Sequence, residues 1–522
     1  MSFFKSLFRA VAVGTLIFMT GGAAAAFFAG NAIAWGSLAA TGAVLSGLTS
    51  VIGYLSRPKT DRQAANDRLN ITINPSAEAK FVFGETASGT DIVYQEKIGD
   101  DKVFYVVAAA WHEIHSFGLL HFNDELISLD SNGLSTGDWA GVVKLTYKTG
   151  TLTQDAIQIT GSAWPSSAKG AGVAHFGMLF DVGAPKGQEK LSGGIPSRIT
   201  QAIKGAKVYD PRLDSSIGGS GSHRVNDQST WEFENGGKQL GGNWALVVAH
   251  YLLGYRQNGK LIYGVGADAA DIDWQQVAEM ADVCDTLVDS KPKYKVGGII
   301  PVTNDHESVI KQFEDAIDGK VAKLGGKYYI YAPHDDTADV KMVITDDDII
   351  ADSGVIYSPS AGLESLYNTA TGQYISPESL YQFVPYPEVI ETTALADDGK
   401  ARIVAYDFSM IQDATIAQRI SRERIRRSRF TASMTLVMGP KYIALKPFDV
   451  VQINIKETDN QPELFRIIRI VGSVNGYAEV EFIEEDASIY DVSAPLGTAL
   501  TQLDPASYNP DDWIGNRCCI FV

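Results

Sequence analysis

The stretch Trp111–His115, with the sequence WHEIH, comes nearest to a metal site. The zinc-protease arrangement has two histidines four residues apart on one helix, with a glutamate beside the first. Here His115 follows His112 by only three residues, and the neighbouring residues alternate as they do in a strand. In a strand the two imidazoles point to opposite faces and cannot share an ion. We therefore expect a solvent-facing strand and no metal site.

Two loops contain residues that bind phosphate or calcium in other proteins. Loop 218–223, with the sequence GGSGSH, lacks the strand–loop–helix frame and the following lysine of a phosphate-binding loop. Asp346–Asp348 and Asp352 lack the spacing, the glycine and the final glutamate of an EF-hand. No serine or cysteine lies in a recognisable nucleophile elbow. We expect a flexible loop, an exposed acidic turn, and no catalytic, cofactor-binding or metal-binding residue.

The segment from Ile416 to Arg429 predicts a basic helix, which could bind nucleic acid. Its arginines are Arg419, Arg422, Arg424, Arg426, Arg427 and Arg429. The whole chain is acidic, however, with a net charge of −18, and a stable nucleic-acid binder needs basic residues to neutralise phosphates. Charge runs on helices usually face solvent or protein. We expect the arginines to serve contacts between subunits or within a domain.

The elements that must position these residues follow from their periodicity. Alternation predicts strands at 80–84, 103–107 and 142–147, and a hairpin over 119–129 that turns at Asn123-Asp124. Apolar spacing of three and four predicts helices over 243–254, 271–288 and 304–317. A strand follows at 327–331, and strands return over 431–483. The expected fold class is mixed β and α+β, with several small β-domains around an α+β middle domain.

The chain is too long for one core, and we predict five segments. They are an apolar N-terminal helical segment with its linker (1–65), a β-rich domain with an inserted β-domain (66–212), an α+β middle domain (213–400), a basic helix with a closing β-domain (401–485), and an irregular C-terminal tail (486–522). Cys284, Cys518 and Cys519 cannot form a disulfide framework, which indicates assembly in a reducing compartment.

The N-terminal segment has no charged residue in the 47 positions from Ala10 to Ser56. This length accommodates two bilayer-spanning helices. Basic residues at both ends favour a hairpin with both ends on one side of a membrane. The stretch is too long for the core of a signal peptide. Three alternatives remain open: a membrane hairpin, a bundle buried inside a protein assembly and, least favoured by this length, a signal peptide.

Several stretches together resemble the tail tip attachment proteins of lambda-like phages and their relatives in gene transfer agents. These stretches are KVYDPR at 207–212, NWAL at 243–246, GVGAD at 264–268, DIDW at 271–274, the strand–helix–Gly-Gly–strand run over 298–330, the arginine-rich helix, and KPFDVV at 446–451. Residues 150–154 and 172–176 resemble the family's inserted β-domain. The resemblance covers about residues 66–485 and depends on order and spacing. Trp244 and Phe448 depart from the family pattern. The family usually has glycine at the position of Phe448.

The resemblance implies a non-enzymatic structural hub without cofactors. Three copies would form a ring at the tail tip of the virion, assembled in the host cytoplasm. The implied partners are the distal tail and tail tube proteins, the tape measure protein and other tip or fibre proteins. Genome DNA would pass through the lumen without specific binding. Many relatives lack such a long apolar start, and its lack of charge leads to a separate hypothesis: residues 10–56 would plug the tail as two helices per chain and contact the host membrane on infection.

Two other functions compete with this hypothesis. A tail-associated cell-wall hydrolase would need a Cys/His or glutamate-based site, and the sequence contains no recognisable one. A membrane-anchored bacterial surface or secretion protein would use residues 10–56 as its anchor and would occur in cells that lack phage genes.

Overall fold

The computed structural model of the chain describes residues 72–73, 78–88, 91–350, 354–360, 362, 365–459, 461–472, 476–493 and 496–497. They form two compact units. The larger unit contains the described residues up to His334, Tyr367–Ile425 and the described residues from Tyr490; the smaller contains those within Asp335–Leu366 and Arg426–Ile489. The five-segment division stays a prediction.

The predicted helical hairpin, the apolar segment 10–56, and Cys518 and Cys519 all fall outside the described residues. Among the residues that are described, every helix is too short or too polar to cross a bilayer.

The larger unit begins with the predicted β-rich region. Its described strands are β1 (Thr72–Ile73), β2 (Lys80–Phe83), β3 (Glu85–Ser88), β4 (Asp91–Ile98), β5 (Lys102–Ala110), β6 (Ile114–Phe122), β7 (Glu125–Leu126), β8 (Val143–Thr149), β9 (Ala174–Asp181) and β10 (Ile199–Ala206). One sheet has the order β1-β4-β5-β9-β8 and another the order β3-β10-β6-β7. Both enclose a core of aliphatic and aromatic side chains. The predicted turn is present, since Asn123 and Asp124 have φ of 45° and 77°.

The stretches 150–154 and 172–176, which resemble the family's inserted β-domain, lie in the connection between β8 and β9 and at the start of β9. Strands β8 and β9 pair directly, from Val143 opposite Phe180 to Thr149 opposite Ala174. Residues 150–173 connect them without a helix or strand. Ile157 is buried in this connection and packs with Phe104 and Val106 of β5. The connection therefore packs against the sheet that contains β5.

Helices dominate the next part of the larger unit. Its elements are α1 (Gly187–Lys190), α2 (Trp244–Leu253), β11 (Tyr255–Gln257), β12 (Lys260–Tyr263), α3 (Trp274–Asp285), β13 (Leu287–Val288), β14 (Lys291–Pro292), β15 (Gly298–Pro301), α4 (His306–Ile317), β16 (Lys320–Leu324) and β17 (Lys327–Tyr331). All ten residues of α2 are buried, as its apolar sequence predicts. Asn243 caps α2 by accepting the N–H groups of Ala245 and Leu246 at 3.1 and 3.3 Å.

Trp244, one departure from the family, is fully buried in this part of the fold. Its indole Nε1 donates to the carbonyl of Phe313 in α4 at 2.8 Å. A Cβ atom on Gly319 would lie 2.4 Å from the Trp244 ring. The tryptophan thus ties α2 to α4, and the glycine leaves room for it.

The larger unit also includes β20 (Thr369–Thr371), β21 (Gln373–Ser376), β22 (Gln382–Pro385), β23 (Val389–Ile390), α5 (Thr392–Asp398), β24 (Ile403–Ala405) and α6 (Ala414–Arg427), whose last two residues belong to the smaller unit. The smaller unit contains β18 (Met342–Thr345), β19 (Ile356–Ser358), β25 (Ser433–Met438), β26 (Val450–Asn454), β27 (Glu463–Gly472) and β28 (Ala478–Glu484). These form one sheet in the order β18-β26-β27-β28-β25-β19 around an apolar core. The expected mixture of small sheets with a few helices is confirmed.

Candidate interaction sites

The arginine-rich helix α6 buries four of its five arginines inside the protein. Asp413 caps it by accepting the N–H groups of Thr415 and Ile416 at 2.8 and 3.2 Å. Within the larger unit, Arg419 donates to the carbonyls of Val288 and Pro292 at 3.3 and 3.0 Å. The predicted intradomain role is therefore observed for this arginine.

Two further arginines of α6 are buried in the larger unit. Arg422 lies 3.1 Å from a carboxylate oxygen of Glu391. Arg424 stacks over the rings of Tyr406 and Phe408, at 5.0 and 4.9 Å from their centroids. Guanidinium groups held in this way are not available to phosphates.

The end of α6 contributes to a buried ion network in the smaller unit. Arg427 donates to both carboxylate oxygens of Glu485, at 2.8 and 2.9 Å. Arg466 donates to Glu485 at 2.6 Å and also pairs with Asp336. Burial alone would raise the pKa of Glu485, but the two guanidinium charges outweigh it and hold that pKa below its ordinary value. Glu485 is therefore an internal counter-ion for two buried arginines.

The KPFD turn at 446–449 contains Phe448, the second residue that departs from the family pattern. The N–H of Asp449 donates to the carbonyl of Lys446 at 3.3 Å, and Phe448 has φ of 76°. Proline at the second position and a positive φ at the third are the features of a type II turn, which favours glycine at the third. Here a buried phenylalanine occupies that position, and its carbonyl accepts from Arg466 Nη1 at 2.8 Å.

The VYDPR stretch at 208–212 forms a second ion network, in the larger unit. Arg212 pairs with Asp210 in its own turn, and its Nη1 donates to Asp282 and Asp285 of α3 at 2.7 and 2.9 Å. Asp285 also accepts from the amide of Asn243 at 2.9 Å. One arginine thus joins the turn to α3, and through Asp285 to the cap of α2.

The expectation of a solvent-facing strand is wrong for His112. This residue lies in the bend between β5 and β6, where its side chain is fully buried. Its Nε2 accepts the N–H of Val82 at 2.9 Å, and its Nδ1 donates to the carbonyl of Glu113 at 2.8 Å. Burial lowers the pKa of His112 to about 4. The chain turns back at this point, so the imidazole closes the bend as a neutral group.

His115 lies separately, on β6. It is partly exposed and stacks on Phe233, with centroids 5.1 Å apart. Its Nε2 is 3.8 Å from a carboxylate oxygen of Glu234. Among the described residues no cluster of three or more His, Cys, Asp or Glu side chains has the geometry to hold a metal ion.

Loop 218–223 uses its own amides internally. The N–H of Gly219 donates to the carbonyl of Asp214 at 2.8 Å, and the N–H of Ser220 to that of Arg212 at 2.9 Å. The loop borders a groove of about 640 Å³ whose lining includes Pro211, Ile217 and Trp274. Its amides therefore stabilise the loop instead of forming a phosphate cradle.

The acidic turn Asp346–Asp348 is exposed at only two of its three residues. Asp346 and Asp347 face solvent, but Asp348 is buried. Its carboxylate pairs with Lys441 and accepts the N–H of Thr345 at 3.1 Å. Asp348 therefore closes a turn in the smaller unit, and Asp352 lies outside the described residues.

Periodicity gave no indication of a buried aromatic cluster around His250. This histidine of α2 is fully buried, and its Nε2 lies 2.8 Å from the hydroxyl of Tyr263. Phe81 stacks on both rings, at 5.6 and 4.3 Å. Burial, and next the neighbouring His112, lower the pKa of His250 to about 3. A histidine in an otherwise apolar helix was the signal available.

Comparison with protein families gives a match to part of this chain. Residues 305–470 match the family model Phage-tail_3, described as a putative phage tail protein. This range includes α4, the hairpin β16–β17, α6 and the strands β25 and β26. No curated protein matches the chain.

Solved structures give two further similarities. A chain from the virion of a native gene transfer agent particle matches with a TM-score of 0.57 and 14% sequence identity, over 88% of this chain and 99% of its own length. A prophage tail protein from Listeria monocytogenes EGD-e matches at a TM-score of 0.25 and 9% identity, over 76% of this chain and 89% of its own. The resemblance to phage tail proteins is confirmed by the family match.

Proposed function

We propose that this chain is the central hub of a tail tip, since its residues 305–470 match a phage tail family model. The hub joins the tail tube to the tip and controls release of the genome. The observation that carries the proposal is the fold similarity to a chain of a gene transfer agent virion, which extends over 88% of this chain. Similarity over nearly the whole length is expected for two proteins that fill equivalent positions in related tails.

The internal chemistry supports a mechanical role. The guanidinium groups of helix α6 contact carbonyls, carboxylates and aromatic rings of the same chain. Buried pairs with multidentate geometry impose a specific arrangement on the elements they join. A tail component that must hold and then transmit a change of state benefits from such rigid joints.

We further propose that the chain assembles as a homotrimer coaxial with the tail. Its partners would be the distal tail and tail tube proteins, the tape measure protein and other tip or fibre proteins. The separate β-sheet regions of the two units would supply two similar surfaces per chain, and three chains would give six. Closed rings of this kind use heterologous contacts between different patches.

The DNA path is proposed to be neutral or acidic. The net charge of −18 supports this, since a basic lumen would bind phosphates and resist passage. Four of the five arginines of α6, namely Arg419, Arg422, Arg424 and Arg427, are buried and would not line such a channel. Purified protein should therefore show no binding to duplex DNA at physiological salt beyond the weak non-specific level.

Residues 10–56 are proposed to plug the tail and to enter the host envelope on infection. The proposal depends on the absence of charge in this segment. Particles that lack residues 10–56 should adsorb to cells normally but deliver less DNA. Normal delivery by such particles would contradict a plugging role.

Location in the particle tests the hub proposal directly. Antibodies raised against the described part of the chain should label the tail tip in electron micrographs, one cluster per particle. Label on the capsid or along the tail tube would contradict the proposal. Antibodies against a major tail tube protein serve as the control, because they should label the full length of the tail.

A further inference from the structure

The hairpin β16–β17 projects a basic tip, Lys323–Tyr328, from the larger unit. Gly325 and Gly326 form its turn, with φ of 58° and 89°. Positive φ at both central residues is typical of the tight turns that suit β-hairpins. A Cβ atom on either glycine would have no neighbour within 4 Å, so the turn stands in open space.

The tip carries one lysine on each of its faces. Lys323 is opposite Tyr328 and Leu324 is opposite Lys327, so the two lysines point to opposite sides of the ribbon. Both are exposed. The ammonium of Lys323 is 4.5 Å from the centroid of the Tyr328 ring, a cation–π contact that restricts its position.

The positive charge of this tip is not neutralised by the described residues around it. Lys311, on the neighbouring α4, has Asp315 within 3.1 Å and Glu314 within 3.8 Å. By contrast, no described carboxylate forms an ion pair with Lys323 or Lys327. Two free ammonium groups thus remain at the tip of a chain that has 62 acidic and 44 basic residues.

Three physical arguments select the partner. Two lysines are too few for stable binding to nucleic acid, which typically takes about six to ten phosphate contacts. A contact between two such tips would set like charges together. A second copy of this chain offers an excess of carboxylates, and head-to-tail contacts in a ring bring unlike patches together.

We propose that the Lys323–Tyr328 tip docks on an acidic surface of the neighbouring copy of this chain. The inference rests on the proposed homotrimer and specifies a surface that would hold it together. The turn inserts between carboxylates, with one lysine on each side. Tyr328 keeps the Lys323 ammonium in place.

The test compares the self-association of the full chain with that of charge variants by sedimentation equilibrium. The double variant Lys323→Glu with Lys327→Glu should raise the dissociation constant at least about tenfold, since each contact becomes repulsive. The neutral pair Lys323→Gln with Lys327→Gln should have a smaller effect and should reduce the salt dependence of association. The control is Lys260→Glu with Lys400→Glu, which changes two other exposed lysines by the same charge. Circular dichroism establishes that each variant is folded.

The outcomes separate this inference from the proposed function. If wild type and the Lys323/Lys327 variants associate equally well, the docking role is wrong and the trimer stands. If wild type remains a monomer throughout, the trimer itself is wrong. If association is unchanged but the variants alone lose binding to a fluorescent DNA duplex, the tip is a nucleic-acid contact and the proposal is overturned.

Discussion

The carbonyl of Phe448 accepts a hydrogen bond from Nη1 of Arg466 at 2.8 Å, while Phe448 itself holds a left-handed backbone conformation with φ of 76°. Arg466 is almost fully buried and also pairs with Glu485 and Asp336. The strained turn therefore supplies one of the acceptors that satisfy a buried guanidinium. A backbone conformation that costs about 1–3 kcal/mol persists where its surroundings require it.

Substitutions at Phe448 should reverse the usual order of alanine and glycine. Both remove a buried ring, which typically costs about 3–5 kcal/mol. Glycine should then be more stable than alanine by about 1 kcal/mol, because alanine keeps the penalty of positive φ. Chemical denaturation measures both variants. Phe465, buried in β27, is the matched control, where glycine should be the worse residue; the same order at both positions would contradict the strain.

The buried carboxylate Glu485 should be essential for the smaller unit. Glu485→Gln leaves Arg427 and Arg466 without their shared charge, and breaking such a pair typically costs about 3–5 kcal/mol. The exposed pair of Asp339 and Lys341 is the control, where Asp339→Asn should cost less than about 1 kcal/mol. A loss at Glu485 no larger than that at Asp339 would show that the network contributes little.

The same network predicts a response to acid. The pKa of Glu485 is lowered in the folded chain, so its stabilisation is complete above its ordinary pKa near 4.5 and is lost as pH falls through the folded value. Unfolding measured between pH 6 and pH 3 should show this loss in wild type. In Glu485→Gln, the free energy of unfolding should fall less steeply as the pH decreases below about 4.5.

As pH falls, His112 and His250 should begin to destabilise the larger unit at a higher pH than that at which Glu485 affects the smaller unit. Both are neutral when folded, with pKa values of about 4 and about 3, so the unfolded chain binds protons first as pH falls below about 6.5. Between pH 7 and pH 5 each histidine should reduce the free energy of unfolding by about 2 kcal/mol. His250→Gln should flatten this slope. The partly exposed His115 is the control, and an equal effect of His115→Gln would contradict the argument.

His112 itself should not tolerate replacement by alanine, contrary to what its sequence context suggests. Loss of the imidazole leaves the buried N–H of Val82 without its acceptor, which costs about 1–3 kcal/mol, together with the loss of packing. His115→Ala should stay within about 0.5 kcal/mol of wild type, as surface changes usually do. Thermal unfolding of the two variants compares them directly.

The elements were largely predictable, because local patterns determine them. Helix α2 lies within the range 243–254 that its periodicity predicts, and a turn is present at Asn123-Asp124 as predicted. Which side chains are buried, and which partners they contact, was not predictable from their spacing in the sequence. The sequence predicted protein contacts for the arginines of α6 but not their partners, and Glu485, which pairs with Arg427, is distant in sequence. His112 became internal because the strand pattern breaks into a bend at that residue.

A density map of the intact particle at side-chain resolution would show where this chain lies and how many copies are present. We expect three copies around the tail axis at the tip, adjoining the distal end of the tail tube. The buried arginines of α6 should lie inside each protomer and away from the DNA path. A map with the chain absent from the tip, or present in a number other than three, would overturn the proposed trimeric hub.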